Sequence, residues 1–132
     1  MYYKMKEIMA YIVGKYEGEW NAGKKEGKGI YYFYNGDKYD GNFKNDKIEG
    51  KGICYYFNGE RYDGEWINNK KEGKGIMYYV NGEKYDGEWK NDIRDGNGIL
   101  YDNNGIKKYD GGWKNNKQEG KGTYYYYKKI DN

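Results

Sequence analysis

One five-residue motif recurs along this chain at an almost constant interval. It reads tyrosine, an acidic residue, glycine, any residue and an aromatic, and its copies begin at Tyr16, Tyr39, Tyr62, Tyr85 and Tyr109. Successive copies are 23, 23, 23 and 24 residues apart. A fixed period of this length is typical of stacked supersecondary units, each of which buries its apolar face only against its neighbours. The sequence therefore predicts a repeat protein with five units.

Each unit carries the pattern of two short β-strands. In the first unit, Tyr16 to Trp20 alternates apolar or small residues with acidic ones, as in a half-buried strand. A second strand at residues 27–33 ends at Asn35-Gly36, a strong hairpin signal that recurs in the next three units. We therefore predict an all-β fold: an elongated, single-layer antiparallel meander of about ten strands, two in each unit. The face that each tyrosine occupies stays open, because a two-residue Asn-Gly turn and a longer loop imply different faces.

Two further features repeat with the motif. The third position after the aromatic always holds Gly, Asp or Asn, which tolerate positive φ, so we predict a left-handed residue there. These positions are Gly23, Asp46, Asn69, Asp92 and Asn116. The second strand of every unit contains two glycines separated by one residue, although glycine weakens a strand. We predict that aromatic rings lie over this bare backbone. The rings expected there are Trp20, Phe43, Trp66, Trp89 and Trp113.

The motif divides the chain into three parts. Residues 1–15 are predicted to form an N-terminal cap, either an edge strand or a short helix with Met5, Ile8, Met9 and Ile12 on one face, with disorder as the remaining alternative. The five units are predicted at residues 16–38, 39–61, 62–84, 85–108 and 109–127, and residues 128–132 form a C-terminal tail. The tyrosine run at residues 124–127 either completes the sheet or pairs with a second copy, which would give a homodimer through the C-terminal repeat.

The composition argues against most kinds of chemistry. The sequence has no histidine, no serine and a single cysteine, Cys54, which removes the commonest general base and any serine-type triad. The net charge is +3, from 24 basic and 21 acidic residues mixed along each unit, which is too mild to predict nucleic-acid binding. We expect a non-enzymatic protein without metal or cofactor. No apolar run is long enough for a membrane span, and we expect a cytoplasmic location.

The string Tyr85-Asp86-Gly87-Glu88-Trp89-Lys90-Asn91-Asp92, followed by Gly96-X-Gly98, resembles the MORN (membrane occupation and recognition nexus) repeat. Five copies cover about 85 per cent of the chain. The chain departs from the family pattern where Phe43 replaces tryptophan and Gly112 replaces an acidic residue. An acidic residue also replaces the family's frequent histidine before the paired glycines. These acids are Glu26, Glu49, Glu72, Asp95 and Glu119.

The resemblance implies a recognition scaffold with a shallow groove lined by the repeat aromatics. Relatives serve as protein-interaction and cytoskeletal scaffolds or as modules near membranes, and in some a helical segment lies in the groove. The expected occupant of the groove is a partner protein, a helical peptide or a second copy of the chain. The implied location extends to the cytoskeleton or the inner membrane surface. The groove residues that correspond are Tyr16, Trp20, Tyr39, Phe43, Tyr62, Trp66, Tyr85, Trp89, Tyr109 and Trp113.

Two other functions remain open from the sequence. Lysines at the turns would contact anionic phospholipid, each contributing about 1 kcal/mol at best. The lysines expected there are Lys24, Lys25, Lys47, Lys70, Lys71 and Lys117. A cell-wall carbohydrate-binding repeat also combines hairpins, Asn-Gly turns and aromatics, although the Gly-X-Gly strands argue against it.

Overall fold

The computed structural model of the protein describes residues 14–131, which form one open antiparallel sheet. Ten strands follow in sequence order, so that each strand pairs with the next. The strands are β1 Lys15–Asn21, β2 Lys24–Tyr32, β3 Lys38–Lys44, β4 Lys47–Tyr55, β5 Arg61–Ile67, β6 Lys70–Tyr78, β7 Lys84–Lys90, β8 Ile93–Tyr101, β9 Lys107–Lys114 and β10 Lys117–Tyr124. The predicted meander is confirmed. Ten strands extend roughly 45 Å, whereas one nine-residue strand spans about 30 Å, so the sheet is longer than it is wide.

The prediction for the N-terminal cap falls almost entirely outside the described residues. Residues 1–13 are not described, and Lys15 already belongs to β1.

A two-residue turn joins the two strands of each repeat. In the second repeat this turn consists of Asn45 and Asp46, with φ of 50° and 68°; in the first it consists of Ala22 and Gly23, with φ of 51° and 77°. Two left-handed residues define the type I′ turn, whose twist matches that of a β-hairpin. The predicted left-handed position is therefore confirmed in every repeat. The residue before it is left-handed as well, which the sequence prediction missed.

The Asn-Gly dipeptides lie in the longer loops between repeats. In the loop after β2, the Gly36 N–H donates to the Phe33 carbonyl at 3.0 Å and the Phe33 N–H donates to the Asp37 carbonyl at 2.9 Å. The Asn35 side-chain carbonyl accepts a hydrogen bond from the Asp37 N–H at 3.0 Å. Only Gly36 has a positive φ in this loop. The alternative of a two-residue Asn-Gly turn is therefore wrong, and the tight turn lies at the other end of the hairpins.

The strand register resolves the open question of the faces. Tyr39 lies directly opposite Tyr31 in β2 and Cys54 in β4. Directly opposed residues share a face, and successive residues of a strand alternate between faces. The tyrosine and the final aromatic of every motif therefore lie on one side, here called the aromatic face. The acidic second residue of every motif lies on the other side, here called the polar face.

The aromatic face is the core of the molecule. Tyr39, Tyr62 and Tyr85 are completely buried. The Tyr62 ring lies edge-to-face against Trp66 of its own repeat at 5.0 Å and against Trp89 of the next repeat at 5.3 Å. The same alternation runs without a gap from Tyr16 to Tyr109. Each such pair contributes about 0.5–1.5 kcal/mol beyond the area that it buries, so the repeats stabilise one another through their rings.

The two glycines of each pair have different structural roles. The second glycine of the pair, Gly52, lies beneath the Tyr39 ring, with which a Cβ would collide. The Gly52 backbone also lies so close to Gly41 in β3 that a Cβ on Gly41 would collide with it. Trp66, the final aromatic of its motif, contacts Gly52 through a hydrogen bond: its indole N–H donates to the Gly52 carbonyl at 3.0 Å. The prediction that the final aromatic covers the glycine backbone is thus corrected, because the tyrosine ring lies closest to it. The first glycine of the pair, Gly50, has a φ of 90° where β4 bulges relative to β3, a conformation typical of glycine at a bulge.

Candidate functional site

Most of the aromatic residues predicted to line a partner groove form the core instead. Tyr39, Tyr62 and Tyr85 expose no surface, so a partner cannot contact their rings. Phe43, Trp66, Trp89, Tyr109 and Trp113 are also buried. Tyr16 is half-buried, and only Trp20 is largely exposed, at 58 per cent. The prediction is wrong for Tyr39, Tyr62 and Tyr85, because a single-layer sheet has no second layer and its apolar row must supply the core.

Two of the lysines predicted to contact lipid lie over this core. The Nζ of Lys71 is 5.6 Å from the ring centroid of Tyr62 and 5.4 Å from that of Trp89. Only 15 per cent of the Lys71 side chain is exposed. Lys25 makes the same kind of contact in the first repeat, and Arg94 lies 4.6 Å from the Trp113 ring. These cations help to cover the aromatic face, which leaves little of the Lys25 and Lys71 side chains exposed for lipid contact.

The same residues form a clasp between consecutive repeats. The Lys71 N–H donates to Asp92 Oδ1 at 2.8 Å, and the Asp92 N–H donates back to the Lys71 carbonyl at 3.0 Å. The Lys71 Nζ is also 3.9 Å from Asp92 Oδ1. The other clasps join Lys25 to Asp46, Ile48 to Asn69, and Arg94 to Asn116. The left-handed turn residue of one repeat thus holds the backbone of the repeat before it.

The acids that replace the family's histidine make a second contact between repeats. The Glu72 carboxylate accepts a hydrogen bond from the Asn91 N–H at 2.8 Å. Glu49 accepts one from the Asn68 N–H at 2.7 Å. The donors are the first residues of the two-residue turns in the following repeats. A second acidic position acts within its own repeat: Glu65 accepts from the Lys74 N–H at 2.7 Å, beside the bulge at Gly73.

An open groove crosses the polar face from β4 to β8. It has a volume of about 650 Å³. It is lined by Glu49, Gly50, Lys51, Glu65, Trp66, Ile67, Glu72, Gly73, Glu88, Trp89, Lys90 and Asp95. A smaller depression of about 380 Å³ shares Glu88 with it and extends over Ile99 and Asp110. We call the two together the polar groove. Four consecutive repeats, from the second to the fifth, contribute to it, and Ile67 is 53 per cent exposed at the surface.

The other turn lysines are exposed, as the lipid-binding alternative requires. Lys24, Lys47, Lys70 and Lys117 begin the even-numbered strands next to the two-residue turns. Together with exposed lysines at the ends of the preceding strands they form what we call the basic rim. Its members are Lys24, Lys44, Lys47, Lys70, Lys90, Lys114 and Lys117.

The C-terminal strand forms one edge of the sheet. All eight residues of β10 are exposed, and its outer edge pairs with no other strand in residues 14–131. The Tyr125 N–H donates to the Lys108 carbonyl at 3.0 Å, after which Tyr126 and Tyr127 extend into solvent. The tyrosine run therefore contributes one residue, Tyr124, to the sheet and leaves an open edge beside it.

Reactive and metal-binding groups are scarce in the described part of the chain. Cys54 is buried, and this burial raises the pKa of its thiol to about 11, so the thiol is protonated at neutral pH. Residues 14–131 contain no group of three or more Cys, Asp or Glu side chains placed to hold a metal ion. Within the same residues, no helix is long and apolar enough to cross a membrane.

Comparison with known families recognises five MORN repeats, at residues 16–38, 39–61, 62–84, 85–107 and 109–129. Each match contains one hairpin, from β1–β2 to β9–β10. The chain therefore belongs to the MORN repeat family. MORN repeats occur in scaffolds that bind proteins or membranes. Comparison with individual curated proteins gives no match.

Proposed function

We propose that the protein is a non-enzymatic scaffold that binds a partner protein or a helical peptide in the polar groove. The observation that carries the proposal is the groove itself, to which four consecutive repeats contribute residues. The rings on the aromatic face form the core, whereas the polar face presents an open groove to a partner. We infer action in the cytoplasm, at the cytoskeleton or at the inner surface of a membrane, from the family and from the single cysteine.

Hydrogen bonds that hold the groove carboxylates in place favour tight recognition on this face. Glu72 is held by the Asn91 N–H, and Glu65 by the Lys74 N–H. Side chains that are already ordered lose less conformational entropy when a partner binds. The exposed Ile67 side chain supplies an apolar anchor between these acids, and central apolar contacts surrounded by polar ones are typical of protein interfaces.

Site-specific photo-crosslinking tests the proposal. A photo-reactive amino acid is placed at Ile67 in the groove and, as a matched control, at Tyr34, which is exposed in the loop after β2. We expect the Ile67 derivative to capture a defined partner in cells and the Tyr34 derivative not to capture it. Equal capture at both positions would contradict the proposal. Alanine substitutions of Trp66 and Trp89 do not serve as a test, because both rings belong to the core.

Peripheral binding to an anionic membrane is the second candidate, supported by the basic rim. The rim places seven exposed lysines along the edge formed by the two-residue turns. Near an anionic surface each lysine contributes about 1 kcal/mol at most, and salt screens the contribution. Co-sedimentation with anionic vesicles at low salt tests this candidate, with Lys47→Ala/Lys70→Ala as the weakened variant. Absence of wild-type protein from the vesicle pellet would exclude the candidate.

A second copy of the chain is a further proposed partner, through the open edge of β10. Unpaired N–H and C=O groups at a sheet edge readily pair with another strand. Sedimentation equilibrium over a range of protein concentrations tests this pairing. A monomer mass at every concentration would exclude it.

A further inference from the structure

We propose that the polar groove binds a lysine- or arginine-rich segment of the partner protein. This inference rests on the proposed function and adds the chemistry of the occupant. Three properties of the groove carry it: the sign of its charge, the absence of ion pairs at six of its seven carboxylates within the described residues, and the apolar surface between them.

The groove is acidic although the chain as a whole is basic. Its lining includes seven carboxylates and three lysines, a net charge of −4. The carboxylates are Glu49, Glu65, Glu72, Asp86, Glu88, Asp95 and Asp110, and the lysines are Lys51, Lys74 and Lys90. The whole chain carries +3, so the residues outside the groove carry +7 in total. Charge is therefore segregated, and a cationic segment complements the groove.

The carboxylates retain capacity to accept further hydrogen bonds. Asp110 lies 3.8 Å from Lys107, but the other six form no ion pair with any residue in the part of the chain that the structure describes. Glu72 and Glu65 each accept one hydrogen bond from a neutral backbone N–H. An ionised carboxylate has about four lone-pair sites, so one such bond leaves room for an ammonium or guanidinium donor. A bound cation would also relieve the repulsion among these carboxylates.

Apolar surface within the groove suits the aliphatic stems of lysine and arginine. Ile67 lies beside Glu65 on the same face, and Ile99 lies directly opposite Asp86 and Asp110. Long cationic side chains bury their methylene groups on apolar surface while the charged end contacts an acid. Anionic lipid and phosphate are disfavoured here, because they would meet like charge in the groove.

Fluorescence anisotropy with a defined probe tests the inference. The probe is a labelled peptide of lysine, leucine and alanine, and the comparison probe replaces every lysine with glutamate. The groove variant is Glu65→Gln/Glu72→Gln, in which the glutamine side-chain carbonyl can still accept the backbone hydrogen bonds. The control is Glu19→Gln/Glu26→Gln, which changes the same two repeat positions outside the groove. Both double variants alter the net charge equally.

We expect the lysine peptide to bind the wild type and the control variant alike and to bind the groove variant about three- to tenfold more weakly. We also expect affinity to fall as salt is added, and the glutamate peptide not to bind. Equal affinity of the groove and control variants, or equal binding of the two peptides, would overturn the inference. If the groove variant fails to fold, Glu72→Gln is compared with Glu26→Gln.

The outcomes separate this inference from the proposed function. If the lysine peptide does not bind but the Ile67 crosslink captures a partner without a basic segment, the inference fails and the proposed function stands. If the lysine peptide does not bind and the Ile67 crosslink captures nothing, both fail.

Discussion

Tyrosine suits the core of this sheet because its ring can be buried while its hydroxyl reaches a backbone carbonyl. The Tyr62 ring is fully buried, and its hydroxyl donates to the Glu65 carbonyl at 2.9 Å. No buried side-chain nitrogen or oxygen in the described residues lacks a hydrogen-bond partner. The hydroxyl hydrogen bond therefore compensates for the loss of water around the ring.

The tyrosine core requires glycine at a fixed place beneath each ring. A methyl group on Gly75 would overlap the Tyr62 ring, so we expect Gly75→Ala to lower the free energy of unfolding by about 1–3 kcal/mol. Gly105→Ala is the control, because a Cβ there meets no atom within 4 Å and only its φ of 79° opposes substitution. That conformation costs alanine about 1–2 kcal/mol. Urea denaturation of both variants measures the difference. A smaller effect at Gly75 than at Gly105 would contradict this account of the glycines.

The buried tyrosines also predict sensitivity to alkaline pH. Burial raises the pKa of Tyr39, Tyr62 and Tyr85 well above their ordinary value, and raises that of Cys54 to about 11. The unfolded chain loses these protons at lower pH than the folded chain does. Stability is therefore fully present below the unfolded pKa values and is lost as pH rises through the folded ones.

Urea denaturation over a range of pH measures this effect. We expect the free energy of unfolding to fall progressively above about pH 10, the ordinary pKa of tyrosine. Constant stability through the alkaline range would show that the tyrosines are not buried in solution.

At the scale of the hairpin, the left-handed conformation of the two-residue turn explains why asparagine is common at its first position. The first turn position is asparagine in four repeats and Ala22 in the first repeat, where φ is 51°. Asparagine adopts this conformation readily, whereas alanine loses about 1–2 kcal/mol. We expect Ala22→Asn to raise stability and Asn68→Ala to lower it by about 1 kcal/mol each. Thermal unfolding of both variants measures the effects, and shifts in the same direction for the two would contradict the explanation.

Substitutions of Asp92, in the clasp between two repeats, separate the contribution of a hydrogen bond to stability from that of an ion pair. Asp92→Asn keeps an acceptor for the Lys71 N–H and removes only a partly exposed ion pair, so we expect a loss of about 0.2–1 kcal/mol. Asp92→Ala removes the acceptor as well, and we expect a loss of about 2 kcal/mol. Asn69 already makes the amide version of this clasp, opposite Ile48.

Urea denaturation of the two Asp92 variants distinguishes these contributions. Equal losses for Asp92→Asn and Asp92→Ala would show that charge, rather than the hydrogen bond, holds the repeats together.

At the scale of the whole molecule, the sequence predicted the features that depend on local pattern. The period, the strands and the left-handed residue at Asp46 follow from residue types within one unit. The burial of Tyr39 could not be predicted from one unit, because it depends on the strand register that places Tyr39 opposite Cys54 and on the Trp66 ring of the next repeat. The position of Lys71 over the Trp89 ring likewise arises only when a second repeat is stacked on the first.

The candidate site was less predictable from sequence than the fold. Glu72 and Glu88 are 16 residues apart in sequence, and the strand pairing and the bulge at Gly73 bring them to one groove. The acid before the paired glycines was the available signal, since it recurs in every unit where the family often has histidine. Its contribution to an acidic groove can be inferred only when it is known which face of the sheet each residue occupies.

The central claim is that the aromatic face forms the core and the opposite face recognises a partner. Methyl NMR of isoleucine-labelled protein, titrated with the lysine peptide, tests this claim directly. Ile67 and Ile99 line the polar groove, whereas Ile48 lies opposite Phe43 on the aromatic face. We predict that the methyl signals of Ile67 and Ile99 shift on titration while that of Ile48 stays in place. A shift of Ile48 with Ile67 and Ile99 unchanged would contradict the claim.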